Sequence, residues 1–352
     1  MKNRQTEELG LAESGGKDKS KLVIVAILHM AQYFPAAFAG VALPFLFRKE
    51  GLPLEMFWLL ALPGYTRFLK WLMALVVDNY GSSRFGRRKS WIVPCTVIGS
   101  LSYALLALFP PSLTSLHIIV GILIFKSFVM AAQDIAVDAY AAETMTDEER
   151  PLGTSLINYL GALAGLLGTG AVIVVDYFGW ANAMLAASAM LILAALPAVI
   201  KREPPPPSLA QKKKELGQKP SFVNALRQKD SLFIMPFLFL FGFGPAFLGS
   251  MVGVFWADQG LSIEEYGILS ATAVGAGGLL AASSVPWLVA RIGLGRTALI
   301  SLIFLPVQSI MYMYFSEFGV PVWSVLIPTY IFVAWATSFY GYAASISRFR
   351  WV

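Results

Sequence analysis

The amino-acid sequence predicts an all-α integral membrane protein with two pseudo-symmetric helical bundles. Hydrophobic residues make up 57% of the chain and charged residues 14%, and the mean hydropathy is +0.65, values typical of membrane proteins. Several residues recur 209 positions later, so that Gly51 and Arg87 correspond to Gly260 and Arg296. A constant offset across several loops indicates a duplicated unit, and the two copies are expected to form the two bundles.

Ten apolar stretches predict ten membrane spans. Each has about 20 residues or more, enough for a bilayer core of about 30 Å. They cover residues 22–47, 55–77, 91–110, 116–141, 151–176, 179–200, 231–257, 265–290, 297–316 and 320–345. The repeat offset places counterparts of the fifth and sixth spans beyond Val352, so the second bundle is expected to lack its last two spans.

Four regions follow from these spans. Residues 1–20 are polar and charged and are expected to form a disordered cytoplasmic tail. Residues 21–200 form the predicted N-terminal six-helix bundle, and residues 231–352 an incomplete C-terminal bundle of four helices. Residues 201–230 are rich in proline and lysine and are predicted to be the cytoplasmic linker between the bundles.

The distribution of positive charge predicts the orientation. Of the 27 Lys and Arg residues, 22 fall in segments on one side of the predicted spans, whereas only Arg48 and Lys49 fall on the other. Basic residues are retained in the cytoplasm, so we expect an inner-membrane protein with a cytoplasmic N-terminus. This asymmetry accounts for the net charge of +6 without nucleic acid. Membrane lipid is the expected partner of the basic linker, and a monomer is expected.

Several kinds of chemistry find no support in the sequence. The nearest approach to a phosphate-binding loop, Gly10 to Lys17, lacks the required spacing and is followed by Asp18. Two histidines and one cysteine, without clustered ligands, predict neither a metal site nor a cofactor. No histidine lies near a serine in a pattern that suggests a nucleophile and its base. An enzyme is therefore not predicted.

Five charged residues lie inside the predicted spans and are candidates for transport and proton coupling: Arg67, Lys70, Lys126, Asp134 and Asp138. An ionised side chain at the bilayer centre costs about 2.5 to 3.5 kcal/mol, so these groups should face one another or a watery cavity. Asp134 and Asp138 share one helix face, whereas Lys126 lies about 80° around the helix and about 12 Å along it. We therefore expect their partners on the second span.

The surplus of positive charge among these five residues favours an anionic solute. The alternative is a set of salt bridges that only fixes helix packing. Further polar residues on the first, fourth and fifth spans are predicted to line the solute path: His29, Gln32, Tyr33, Gln133, Asn158 and Tyr159. Interhelical hydrogen bonds are the alternative interpretation of these side chains.

Two motifs resemble those of known transporters. Asp78-Asn79-Tyr80-Gly81, followed by Arg84 to Lys89, resembles the loop between spans two and three of the major facilitator superfamily. The resemblance implies a conformational gating loop that contains Asp78, Gly86, Arg87 and Arg88. The fourth-span motif AQDIAVD, residues 132–138, and FGRRKSWIVP, residues 85–94, are similar to the branch of AmpG muropeptide permeases, acetyl-CoA transporters and siderophore permeases. Relatives carry one basic residue in span two, which matches either Arg67 or Lys70.

This resemblance implies a secondary transporter that works by alternating access. Proton coupling through Asp134 is the expected energy source. The expected solute is bulky, polar and anionic, such as a muropeptide, an acyl-CoA or a ferric siderophore. One alternative is a truncated, non-transporting membrane protein that binds a ligand or acts as a sensor. A channel is disfavoured because no span shows a repeated pore-lining pattern.

Overall fold

The computed structural model describes residues 20–82, 85–146, 149–200, 251–304 and 306–349. The predicted linker and nearly all of the predicted tail lie outside the described residues, as does the first part of the predicted seventh span. The described residues of the first copy form α1 (Ser20–Lys49), α2 (Trp58–Tyr65), α3 (Lys70–Asn79), α4 (Lys89–Leu106), α5 (Leu116–Thr144), α6 (Arg150–Gly170) and α7 (Val172–Ile200). Those of the second copy form α8 (residues 251–258), α9 (Ile263–Ile292), α10 (Leu294–Phe304), α11 (Val307–Phe318) and α12 (Trp323–Phe349).

Seven helical stretches in the described part are long and apolar enough to cross a membrane. Large apolar side chains, such as Leu101, Phe125 and Leu193, are exposed on their outer surfaces. In water such surfaces would be unfavourable, whereas in a bilayer they contact lipid tails. The chain is thus an integral, multi-pass, all-helical membrane protein.

The helix ends define two faces of the molecule. We call the face that contains Ser20, Asn79, Thr144 and Arg150 the proximal face, and the opposite one, which contains Lys49, the distal face. In the first copy, α1 packs against α5, α6 and α7, and α4 packs against α5 and α7. In the second copy, α9 and α10 pack against α12. The two copies meet where α9 packs against α6 and α7.

The same turn ends the first helix of each copy. Gly51 and Gly260 both have φ of +84°, a conformation that glycine adopts without the steric cost of a side chain. The Gly51 N–H donates to the Arg48 carbonyl at 3.0 Å, and the Gly260 N–H donates to the Ala257 carbonyl at 3.1 Å. Both turns lie at the distal face. This repeated geometry is the structural counterpart of the 209-residue sequence offset.

The second span is not a continuous helix. A short 3-10 turn, Thr66–Leu69, separates α2 from α3. Pro63 lies inside α2, where it cannot donate to the helix and its ring crowds the carbonyl four residues earlier. The Thr66 hydroxyl donates to the Pro63 carbonyl at 2.8 Å, which satisfies that group at the start of the turn. The break ends where α3 begins, at Lys70.

The predicted boundary between spans five and six coincides with a break in the helix at Gly179. The sequence predicts that span five ends near residue 176 and that span six begins at residue 179. Helix α6 ends at Gly170, and α7 begins at Val172, after the single residue Ala171. Gly179, with φ of +81° and ψ of 164°, leaves the helical conformation and divides α7 into two helical segments. The break at Gly179 thus agrees with the predicted start of span six, whereas the short interruption at Ala171 was not predicted.

Candidate functional site

A polar cluster lies between α1, α3 and α5, in the half of the molecule nearer the proximal face. Its members are His29, Gln32, Lys70, Gln133, Asp134 and Asp138. We call this set the polar cluster. Its side chains come from three helices of the first copy.

The charged pair at the centre of the polar cluster joins α3 to α5. The Lys70 ammonium donates to the Asp134 carboxylate, and the two side chains are 34% and 25% exposed. This is the pairing between the second and fourth spans that the cost of intramembrane charge predicts. At the repeat-related positions, the second copy carries Leu279 and Ala343, so the pair belongs to the first copy.

The second polar contact joins α1 to α5, one turn closer to the proximal face. His29 Nε2 lies 3.1 Å from Asp138 Oδ1, and His29 Nδ1 lies 2.9 Å from the Val25 carbonyl oxygen. The histidine side chain is only 8% exposed, whereas that of Asp138 is 62% exposed. The carboxylate is therefore accessible, and the imidazole behind it is held within the helix packing.

Two glutamines complete the contact between α1 and α5. The Gln32 amide donates to the Gln133 side-chain carbonyl, and the Gln133 amide donates to the Thr96 hydroxyl at 3.4 Å. Gln133 is fully buried. His29 and Gln32 are three residues apart and so lie on one face of α1. That face meets the face of α5 that carries the AQDIAVD motif.

Lys126 is not part of the polar cluster and so does not face the other charges in it, which was one of the two expected arrangements, the other being a watery cavity. Lys126 is buried, donates to the Tyr103 hydroxyl at 3.1 Å and lies 5.1 Å from the centre of that ring. Among the described residues, no carboxylate lies within ion-pair distance of its ammonium group. Lys126 is eight residues nearer the distal face than Asp134, which accounts for the separation.

The remaining residues predicted to line the path occupy different places. The side chain of Arg67 lies outside the described part of the structure. Of the two residues that could match the basic residue of relatives in span two, Lys70 is therefore the one with a described contact, its ion pair with Asp134. Tyr33 is half exposed and Asn158 is partly buried. The Tyr159 hydroxyl lies 2.7 Å from that of Ser283 and links α6 to α9, across the two copies.

The predicted gating loop forms an ion-pair network at the proximal face. The Arg88 guanidinium, 2% exposed, donates to Asp78 at 2.8 Å and to both carboxylate oxygens of Glu143 at 2.7 and 3.2 Å. Arg87 lies 3.8 Å from Asp78 and 3.6 Å from Glu143. Burial alone would lower the pKa of Arg88, but its hydrogen bonds to Glu143 and Asp78 raise it. We call these four residues the loop network.

Glu143 was not among the residues selected from the sequence. It lies beyond residue 141, where the predicted fourth span ends, and so is not among the predicted intramembrane charges. Helix α5 continues to Thr144 and brings this carboxylate to the start of α4. The sequence feature that could have indicated Glu143 is an acidic residue at the proximal end of the fourth span, on the same face of the membrane as the adjacent Arg87 and Arg88. The loop network thus ties together the ends of α3, α4 and α5.

At the distal face the two copies contact each other directly. Arg48 at the end of α1 forms an ion pair with Asp258 at the end of α8. The Phe45 ring stacks on that of Tyr266, with centroids 4.6 Å apart. The Tyr177 hydroxyl also donates to Glu264 at 3.0 Å. Sequence analysis selected none of these contacts between the copies, because each depends on residues far apart in the chain.

The chain is similar in sequence to known membrane proteins. A family model described as the Major Facilitator Superfamily matches residues 25–349. The anhydromuropeptide permease of Escherichia coli K12 is 24% identical over 269 residues, which cover 73% of this chain and 54% of the permease. The putative transporter AmpG 4 of Rickettsia felis is 24% identical over 283 residues, covering 74% of this chain and 67% of that protein.

An uncharacterised protein of Haemophilus influenzae is 27% identical over 207 residues, covering 57% of this chain and 48% of that protein. The chain therefore spans about half the length of this protein and of the permease. The crystal structure of the nucleoside transporter NupG has a TM-score of 0.64 and 15% identity, covering 95% of this chain and 82% of that chain. A mutant of the same transporter has a TM-score of 0.67 and 14% identity, covering 94% and 83%. At such identity the likeness shows the fold.

Proposed function

Because the chain belongs to the Major Facilitator Superfamily, whose members carry small-molecule solutes across membranes, we propose that it is a proton-coupled secondary transporter. It moves a bulky polar, anionic solute across the cytoplasmic membrane by alternating access of its two bundles. Its proximal face and N-terminus are cytoplasmic, and it works as a monomer. Solute and protons are its partners in this cycle.

The observation that carries the proposal is the pair formed by Lys70 and Asp134. Both side chains are partly exposed at a depth where ionised groups are costly, which is expected of groups that line an aqueous space. An anionic group of the solute competes with the Asp134 carboxylate for the Lys70 ammonium. Lys126 lies elsewhere, so the preference for an anion rests on Lys70 and not on the charge surplus counted from the sequence.

The solute class follows from the relatives. One similar protein is named as an anhydromuropeptide permease, and a second carries the AmpG name. A muropeptide is bulky and polar and carries carboxylates, so it fits a single lysine in a site lined by amide and hydroxyl groups. We therefore propose a muropeptide as the solute, with an acyl-CoA or a ferric siderophore as the other candidates.

Uptake into proteoliposomes tests this proposal. The full chain is reconstituted, an inward proton gradient is imposed, and uptake of a radiolabelled anhydromuropeptide is measured with acyl-CoA and a ferric siderophore as competitors. Lys70→Met should abolish saturable uptake, whereas Lys49→Met, which removes an exposed charge at the distal face, should not. If none of the three solutes is taken up or exchanged, the proposed function is wrong. Binding without exchange would favour the sensor.

A further inference from the structure

We propose that His29 and Asp138 together form the site that binds the coupling proton. This inference rests on the proposed function and assigns one of its steps to two named side chains. Asp138 supplies an accessible carboxylate, and His29 lies directly behind it at 3.1 Å. Histidine is the side chain whose ordinary titration range includes neutral pH.

The contacts of His29 fix the number of protons that this pair holds. The Val25 carbonyl can only accept a hydrogen bond, so the 2.9 Å contact places a proton on Nδ1. The contact between Nε2 and Asp138 Oδ1 needs a second proton, since two lone pairs would otherwise face each other. The pair is therefore neutral in this structure, either as imidazolium and carboxylate or as imidazole and carboxylic acid.

Release of the proton has a defined product. The proton between Nε2 and Oδ1 passes to water, leaving neutral His29 with its Nδ1–H on Val25 and an ionised Asp138. The net charge of the pair changes from zero to minus one. The hydrogen bond between α1 and α5 is lost in the same step, because the imidazole lone pair then faces an anion. Proton release thus weakens a contact between two helices.

The charged groups around this pair support the assignment. Five described carboxylates lie in the proximal half of the first copy: Asp78, Asp134, Asp138, Glu143 and Glu149. Four of them have lysine or arginine partners: Lys70 for Asp134, Lys21 for Glu149, and Arg87 and Arg88 for Asp78 and Glu143. The other neighbours, Gln32 and Gln133, are neutral. Asp138 is the member of this group whose partner can itself gain or lose a proton near neutral pH.

This assignment places the proton site and the solute site on different residues. Asp134 is the ion-pair partner of the Lys70 ammonium, the cation that is proposed to bind the solute anion. Sequence analysis favoured Asp134 as the proton carrier, but the contact of Asp134 with Lys70 suits a competition with the solute anion. Asp138 is nearer the proximal face and more exposed, so water can exchange protons with it.

The first test observes the proton directly and needs no solute. The chain has two histidines, and His117 is exposed at the distal start of α5. His117→Gln therefore leaves His29 as the only source of imidazole signals in ¹⁵N-histidine NMR spectra of the reconstituted full chain. We expect Nδ1 to stay protonated and Nε2 to shift in one step between about pH 5 and 8. Asp138→Asn should abolish that step. A titration that is absent, or unchanged in Asp138→Asn, would overturn the inference.

The second test measures coupling with radiolabelled anhydromuropeptide. For each proton carried, a gradient of one pH unit supports about tenfold accumulation. Asp138→Asn and His29→Gln should lose this accumulation while solute counterflow declines less, and His117→Gln should accumulate like the parent. Accumulation that persists in Asp138→Asn refutes the inference but leaves the transporter proposal intact. Absence of transport in the parent refutes the proposed function, and the NMR titration still decides the proton site.

Discussion

The Arg48 guanidinium at the end of α1 donates to both carboxylate oxygens of Asp258 at the end of α8, at 2.6 and 3.3 Å. A third hydrogen bond, 3.1 Å long, joins Arg48 to the Leu52 carbonyl in the turn that follows α1. The pair connects the two copies at the distal face. Both side chains are partly exposed, so the contact can break without burying an unpaired charge.

Asp258→Asn should shift the protein toward a state that is open at the distal face. An exposed ion pair contributes about 0.2 to 1 kcal/mol, and its loss should change the ratio of closed to open molecules by up to about fivefold. Distances between nitroxides at Leu113→Cys and Val322→Cys, in a Cys95→Ala background, measure this ratio. Glu50→Gln is the control for a nearby charge. An unchanged distance distribution in Asp258→Asn would show that the pair does not hold the face closed.

Gly168 should be intolerant of even one methyl group. A Cβ atom at this position would lie 2.5 Å from the Phe34 carbonyl oxygen and 2.9 Å from the Ala37 Cβ, where α6 approaches α1. Gly168→Ala must therefore separate the helices, at a cost of about 1 to 3 kcal/mol. Gly40→Ala is the matched control, since a Cβ there meets no atom within 4 Å.

Thermal unfolding in one detergent compares these two variants. We expect a lower midpoint for Gly168→Ala. Gly40→Ala should unfold at the parent temperature or above it, because alanine favours a helix over glycine by up to about 1 kcal/mol. Equal midpoints for the two variants would mean that α1 and α6 adjust to the added methyl group.

Arg88 should tolerate neither glutamine nor lysine. Glutamine leaves Asp78 and Glu143 without the buried guanidinium that bonds to both, and breaking a buried pair costs about 3 to 5 kcal/mol. Lysine keeps the charge but cannot reproduce the forked contact with Glu143. The unfolding midpoint should therefore rank Gln below Lys and Lys below the parent. Exposed Arg296, the repeat counterpart of Arg87, provides the control Arg296→Gln, which should resemble the parent.

The sequence predicted features that are set within one helix or turn, or by the cost of placing charge in lipid. The cost of charge in a bilayer was enough to pair Asp134 with a residue of the second span. The repeat offset identified Gly51 and Gly260 as equivalents, and the structure gives them the same backbone conformation. The first inference rests on the cost of an ionised group in a bilayer, and the second on a repeated sequence position. Neither requires the detailed packing of distant helices to be known.

The sequence did not predict which residues of distant helices contact each other. The pairing of His29 with Asp138 depends on the relative rotation of α1 and α5, which hydropathy does not fix. The same is true of Lys126. Its separation from Asp134 along α5 was predicted correctly, but its partner, Tyr103, lies on α4 and was not predicted. A tyrosine in an apolar span gives no sign that it will accept a hydrogen bond from lysine.

Lys126 should contribute little to transport. It is buried against Tyr103 and has no carboxylate partner among the described residues, so its charge is costly to the fold. Lys126→Met, of similar length, should unfold at the same temperature or higher and keep the parent uptake rate. Tyr103→Phe, which removes only the hydroxyl, is the companion variant. Loss of uptake in a well-folded Lys126→Met protein would return this lysine to the solute path.

A double-mutant cycle on Lys70 and Asp134 separates transport from packing. Either Lys70→Met or Asp134→Leu leaves an unpaired charge, which should cost roughly 1 to 3 kcal/mol, less than a fully buried pair because both groups are partly exposed. The double variant leaves no unpaired charge. Its unfolding midpoint should therefore recover, with a coupling of at least about 0.5 kcal/mol between the two positions.

Uptake should respond differently from stability. If Lys70 binds the anionic solute, the double variant stays inactive although it folds as well as the parent. The reason is that it lacks the Lys70 ammonium, the cation that would bind the solute. If the pair only fixes the packing of α3 against α5, the double variant regains uptake together with its unfolding midpoint. Counterflow of labelled anhydromuropeptide, measured beside thermal unfolding on the same four proteins, distinguishes the two outcomes.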